Sequence, residues 1–144
     1  MDLYTPVWDE VISIAEDLQH TQSKQKHQFT LDSTLIAPLY EVARHCREPA
    51  LRRRAIALLR EHPTREGLWD SLIAAQAAER QIELEEQAVK GPVMSAADIP
   101  RESRVIRLIP KFDESERKAV LTLVRLLPAD RTFVEAQTQE SITW

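Results

Sequence analysis

The chain has 144 residues with a formal net charge of −4, 43% of them apolar and 29% charged, which is the make-up of a domain-sized globular protein and excludes a disordered tail. Its single cysteine, Cys46, excludes an intrachain disulfide and a thiolate-rich zinc site and fits a reducing compartment; an acidic balance does not suit a free-standing nucleic-acid binder. The opening MDLYTPVWDEVISIAEDL is acidic and amphipathic, unlike a signal or transit peptide, and no apolar run reaches the roughly 18 residues a membrane span needs.

In chain order, Thr5 and Pro6 start a first helix, over about 5–19, on which Trp8, Val11, Ile12, Ala15 and Leu18 recur at helical spacing. The polar QHTQSKQKHQ, 19–28, reads as a loop. Asp32 or Ser33 caps a second helix, 33–47, that tolerates Pro38 in its opening turns and buries Leu39, Tyr40, Val42, Ala43 and Cys46. Pro49 opens a third, 49–61, which Pro63 closes. Thr64 then caps a long fourth helix, 64–89, with Leu68, Leu72, Ala75, Ala78, Ile82 and Val89 on one side. Arg52, Arg53 and Arg54 are spread by about 100° per residue. They therefore form no phosphate-tracking stripe, and Glu79, Glu83, Glu85 and Glu86 offer counter-charges for a solvated, ion-paired face.

Composition changes after Gly91 and Pro92. A linker, 90–103, leads to SRVIRLIPKF and KAVLTLVRLL, whose β-branched and apolar residues around DESER favour a β-hairpin over 104–126; a helix is the competing reading of the same stretch. Pro110 places its strand at an edge or an end. In the tail, 127–144, a short strand at 133–136 can form and Trp144 can fold back. The expected fold is mainly α, a single domain with a four-helix orthogonal or bundle-like body and a C-terminal β-hairpin.

One long stretch carries a resemblance. Asp32, Pro38-Leu39-Tyr40, Cys46-Arg47-Glu48-Pro49, the Arg52 to Arg54 run and Arg65-Glu66-Gly67-Leu68-Trp69-Asp70-Ser71, followed by VIRLIPKFDESERKAVLTLV, cover residues 29 to 126. Together they look like the C-terminal part of the regulatory domain of fungal zinc-cluster transcription factors. The resemblance implies a mainly helical fold, a fungal source, and a regulatory scaffold that senses partners or metabolites. The six-cysteine cluster that reads DNA in such factors has no counterpart here, so direct nucleic-acid binding is not carried over. Whether the chain is a fragment of such a factor or a free-standing relative stays open.

Candidate chemistry is sparse. Glu41 and His45, four apart on a helix, can hydrogen-bond and orient an imidazole as a general base; Asp70 is a further acid/base candidate, although a carboxylate near a helix start also suits the dipole. His62 and Glu66 share the spacing across Pro63, and Cys46 reads as a buried core thiol. No metal motif is present, and no metal or cofactor is expected. Tyr40, Trp69, Trp8 and Phe29 are the candidate ligand-binding aromatics. Two functions follow. One is a regulatory or interaction region without DNA binding, which binds a homodimer mate, another protein or a small apolar metabolite, away from membranes, in the cytoplasm or nucleus. The other is a small fungal secondary-metabolism enzyme of cyclase, isomerase or lyase type that uses acid/base residues in an aromatic pocket.

Overall fold

The structure is a computed structural model and describes residues 4–24, 35–67 and 69–144. Phe29, Leu68 and the capping residues Asp32 and Ser33 lie outside them. The chain divides into two compact units, Met1–Ala75 and Gln76–Trp144.

In the first unit, helices α1 (Thr5–Lys24), α2 (Ile36–His45) and α3 (Pro49–Glu61) each contact the other two. α1 runs on through residues 19–24, where a loop is expected from polarity. Gln and Lys are good helix formers and the stretch holds no Gly or Pro, so nothing stops the helix there. Ile12 and Ala15 of α1, Leu39, Val42 and Ala43 of α2, and Ala55 and Leu59 of α3 are buried. Each large aliphatic among them contributes about 1.5–3 kcal/mol by leaving water.

α2 has 10 residues and no side-chain cap of its own at Leu35, so propensity alone would leave it marginal. Both its ends are satisfied from other parts of the unit. The Glu66 carboxylate accepts from the backbone N–H of Leu35 through Oε1 at 3.3 Å and of Ile36 through Oε2 at 3.4 Å, where a negative charge also suits the helix dipole. At the other end, Arg52 Nε donates to the Ala43 carbonyl at 2.8 Å and Arg47 donates to the His45 carbonyl at 3.0 Å, meeting carbonyls that a helix terminus leaves open.

This corrects the reading of the arginine run as one solvated face. Arg52 is fully buried and acts as a C-terminal cap. Arg54 pairs with α1, with Glu16 at 2.9 Å and Asp9 at 2.9 Å, and these bonds, Glu16 first, raise its already high pKa.

The fourth helix also starts later than its periodicity suggests. Residues 65–70 fold back as two short antiparallel strands, β1 (Arg65–Glu66) and β2 (Trp69–Asp70), with Arg65 opposite Asp70 and Glu66 opposite Trp69. Gly67 turns between them at φ +59°, a conformation glycine adopts without the usual Cβ penalty. α4 (Ser71–Glu86) then begins under a cap, since Asp70 Oδ1 accepts from the N–H groups of Leu72 at 3.0 Å and Ile73 at 3.1 Å. Thr64 and Ser71 close the fold-back: the Thr64 N–H donates to Ser71 Oγ and the Ser71 N–H to the Thr64 carbonyl, both at 3.0 Å.

The second unit holds the rest of α4, two single 3₁₀ turns at Ala96–Asp98 and Arg101–Ser103, and strands β3 (Val105–Asp113), β4 (Lys118–Ala129) and β5 (Thr132–Thr143). The strands form an antiparallel meander in the order β3-β4-β5. Its inward face carries Leu108, Ala119, Leu121, Leu123 and Ile142, all buried. Between the helix and the sheet, Glu85 is fully buried and its Oε1 accepts from the Val105 N–H at 2.8 Å and from Gln81 Nε2 at 3.1 Å. At the β3-β4 turn, Asp113 accepts from the hydroxyl and N–H of Ser115 and the N–H of Glu116. These bonds, the Ser115 hydroxyl first, hold its carboxyl below the usual range. Asp130 supplies the positive φ, +42°, for the turn into β5.

The expected fold class, mainly α with one C-terminal hairpin, is therefore wrong. The four helices are accompanied by a three-stranded sheet over most of 105–143 and a two-stranded pair at 65–70. The tail that suggested only a short strand is the 12-residue β5, paired along its whole length with β4 from Lys118↔Thr143 to Ala129↔Thr132. Its inward residues, Val134, Ala136, Thr138, Glu140 and Ile142, mix apolar side chains with polar and charged ones, so the two-residue hydrophobic period that marks a strand is faint there.

Candidate functional site

The residues singled out as chemically interesting fall in different settings. Tyr40 faces inward from α2 and is 8% exposed, and Trp69 of β2 meets it edge-on at 5.4 Å between ring centroids and 63° between planes. The guanidinium of Arg44, one turn on, lies 5.2 Å from the Tyr40 ring centroid, within cation–π range. Burial raises the Tyr40 pKa above its ordinary value, and Arg44 partly offsets the rise. Trp69 leaves 40% of its surface exposed and so forms the outer wall of this pair. Trp8 is half-buried on α1.

Glu41 and His45 do meet, with Oε2 and Nε2 3.2 Å apart, but 50% and 40% of their side chains are exposed on the outer surface of α2. Asp70 spends its carboxylate on the α4 cap. Cys46 is buried and forms no disulfide. No three His, Cys, Asp or Glu side chains among the described residues cluster as a metal site would require.

A cavity of about 310 Å³ opens in the first unit. Its apolar floor is Ile36, Leu39, Leu58 and Leu59; Gln19, His62, Thr64, Glu66 and Ser71 stand around it. Gln19 Nε2 donates to the Leu58 carbonyl at 3.3 Å, while its Oε1 is buried and no donor among the described residues reaches it. None of His45, Glu41, Asp70, Tyr40, Trp69 or Trp8 lines this space. Periodicity could have supplied Leu58 and Leu59 as apolar-face residues; nothing local could have supplied Gln19, which the packing of α1 against α3 brings there, or Thr64 and Glu66, which the fold-back at 65–70 places.

The sequence elements that carried the family resemblance thus have identifiable mechanical jobs. Arg47 and Arg52 hold one end of α2, Glu66 holds the other, Gly67 turns the chain, Trp69 covers Tyr40, and Asp70 starts α4. They define a scaffold more than a reactive centre.

Comparison with known proteins agrees on the lineage. Over 101 residues, 68% of this chain, the sequence is 38% identical to the aspercryptin biosynthesis cluster-specific transcription regulator of Emericella nidulans. The chain is related to part of a fungal transcription regulator. It corresponds to 16% of that relative's length. No family model matches the chain, and no solved structure matches it. Among the described residues, no helix is long and apolar enough to cross a membrane.

Proposed function

We propose that this chain is a regulatory or interaction region of transcription-factor descent, acting in the nucleus without contacting DNA itself. The observation that carries the reading is the 38% identity to a cluster-specific transcription regulator. The chemistry of the chain supports it: one cysteine cannot build a binuclear zinc cluster, and a net charge of −4 offers no basic footprint for phosphates. The test is a fusion of residues 1–144 to a heterologous DNA-binding domain in a fungal reporter strain. Reporter output should change relative to the DNA-binding domain alone, in either direction, and the unfused chain should not retard DNA. Unchanged output from a stably expressed fusion would sink the reading.

The cavity supports a second element of the same proposal, a small apolar metabolite as the signal. An apolar floor beside Gln19, whose buried Oε1 no donor among the described residues reaches, suits a compact hydrophobic body carrying one hydroxyl or amide N–H. Native mass spectrometry of protein purified from a fungal host should show a discrete added organic mass that Leu58→Trp, which fills the floor, abolishes. An added mass retained by a folded Leu58→Trp protein would place the ligand elsewhere.

A further inference from the structure

The two edges of the β3-β4-β5 sheet are protected unequally. β3 carries the usual safeguards against edge-to-edge association: Pro110, which lacks an N–H, Lys111, and a bulge between Val105 and Arg107. β5 carries none. Its 12 residues, TFVEAQTQESIT, contain no proline, lysine or arginine, its register with β4 is unbroken, and no described strand pairs with its outer edge. Long, regular edges without proline, lysine or a bulge are the ones that most readily add another strand.

From this we infer that β5 is the seam of a homodimer, in which two copies of the chain join their sheets by antiparallel β5–β5′ pairing. The geometry fixes which registers are allowed. A twofold axis normal to the sheet keeps each copy's inward face on the same side. Residues opposite each other across the seam point to the same side, so an inward residue must oppose an inward one. The inward set of β5 is even-numbered, and the axis must therefore pass through a residue, not between two.

Centring it between Gln137 and Thr138, the middle of the strand, is excluded on this ground, and it would also set Glu135 against Glu140′ twice. Centring it on Gln137 also keeps carboxylates apart, but it sets Glu140 against the larger apolar Val134′ and Ile142 against Thr132′, so the two apolar residues do not meet. Centring it on Thr138 pairs Val134 with Ile142′ and Ala136 with Glu140′ on the inward face, Glu135 with Ser141′ and Gln137 with Gln139′ on the exposed face, and places no carboxylate against another. The strand is self-complementary in that register, as an isologous interface requires. A second copy is thus the occupant that the charge pattern fits, and the pairing does not depend on what the region regulates.

The Gln137–Gln139′ pair gives a register-specific test. Gln137 and Gln139 are exposed, so changing them leaves the fold intact, which far-UV circular dichroism checks. Analytical ultracentrifugation of the 144-residue protein at micromolar concentration should show a dimer. Gln137→Lys with Gln139→Lys sets lysine against lysine twice and should weaken dimerisation at least tenfold; Gln137→Lys with Gln139→Glu sets lysine against glutamate twice and should keep the dimer. Thr138→Cys should give a disulfide-linked dimer under mild oxidation, since opposed residues bring their Cα atoms within disulfide range. A parent protein that stays monomeric overturns the inference. So does a dimer indifferent to both charge variants, or a Thr138→Cys protein that fails to cross-link.

Discussion

Glu85 provides the sharpest test of how the second unit is held. Its carboxylate is fully buried and receives the Val105 N–H at 2.8 Å and the Gln81 amide at 3.1 Å, tying α4 to the first residue of β3. A hydrogen bond to a charged acceptor contributes about 1.5–3 kcal/mol, and a buried donor left unsatisfied costs a comparable amount. Glu85→Ala removes the acceptor for both donors and leaves a small void, so about 2–4 kcal/mol of stability should be lost. Glu85→Gln keeps a carbonyl oxygen in place and should lose only about 1 kcal/mol. Urea unfolding followed by far-UV circular dichroism measures both. With a slope of roughly 2 kcal/mol per molar urea, the alanine midpoint should fall by about 1–2 M and the glutamine midpoint by about 0.5 M. An alanine variant whose midpoint stays within about 0.2 M of the parent, at equal slope, would refute the view that this buried carboxylate joins helix to sheet.

Other consequences can be read directly. Asp70→Ala should lower stability by about 1 kcal/mol, whereas Asp70→Asn, which still caps, should be nearly neutral; equal losses in the two variants, measured by thermal unfolding, would show that charge matters there and capping does not. Arg54→Met removes only part-exposed ion pairs to Glu16 and Asp9, so it should cost under about 1 kcal/mol and the cost should shrink in high salt. Tyr40 should ionise above the ordinary phenol range, and ultraviolet titration of a Tyr4→Phe protein isolates it. Because its folded pKa is raised by burial, the unfolded chain loses its proton first and stability should fall as pH climbs from about 10 through the folded value. Trp69→Ala, which opens the outer wall, should bring the Tyr40 titration down, and an unmoved curve would contradict that role.

What could be read from the sequence was whatever chemistry acts within a few residues. Pro49 at the start of α3 and Pro63 just past its end bound that helix by a fixed φ and a missing N–H, and the β-branched runs on either side of DESER announce β3 and β4. Pro110 announces an edge strand, and Cys46, expected on a helix's apolar side, is buried one residue past the end of α2. Asp70 as a carboxylate near a helix start was visible too, though the helix begins at Ser71 and not at the expected 64, because Gly67 lets the chain fold back first.

The rest was decided by residues distant in sequence. Arg52 sits in a run of three arginines that no local pattern distinguishes, and only the open carbonyl end of α2 makes it the buried one. Glu66 becomes an N-terminal cap for a helix 30 residues earlier because the 65–70 fold-back carries it there. Glu85 looks like its neighbours Glu83 and Glu86 until β3 presents an N–H to it. β5 shows the same thing at the scale of a whole strand, since its hydrophobic period is weak and its pairing is supplied by the backbone of β4. Periodicity reports which face of an element avoids water. It does not report which distant polar group will need a partner once that face is buried, and in this chain those partners determine the ends of α2, the start of β3 and the existence of β5.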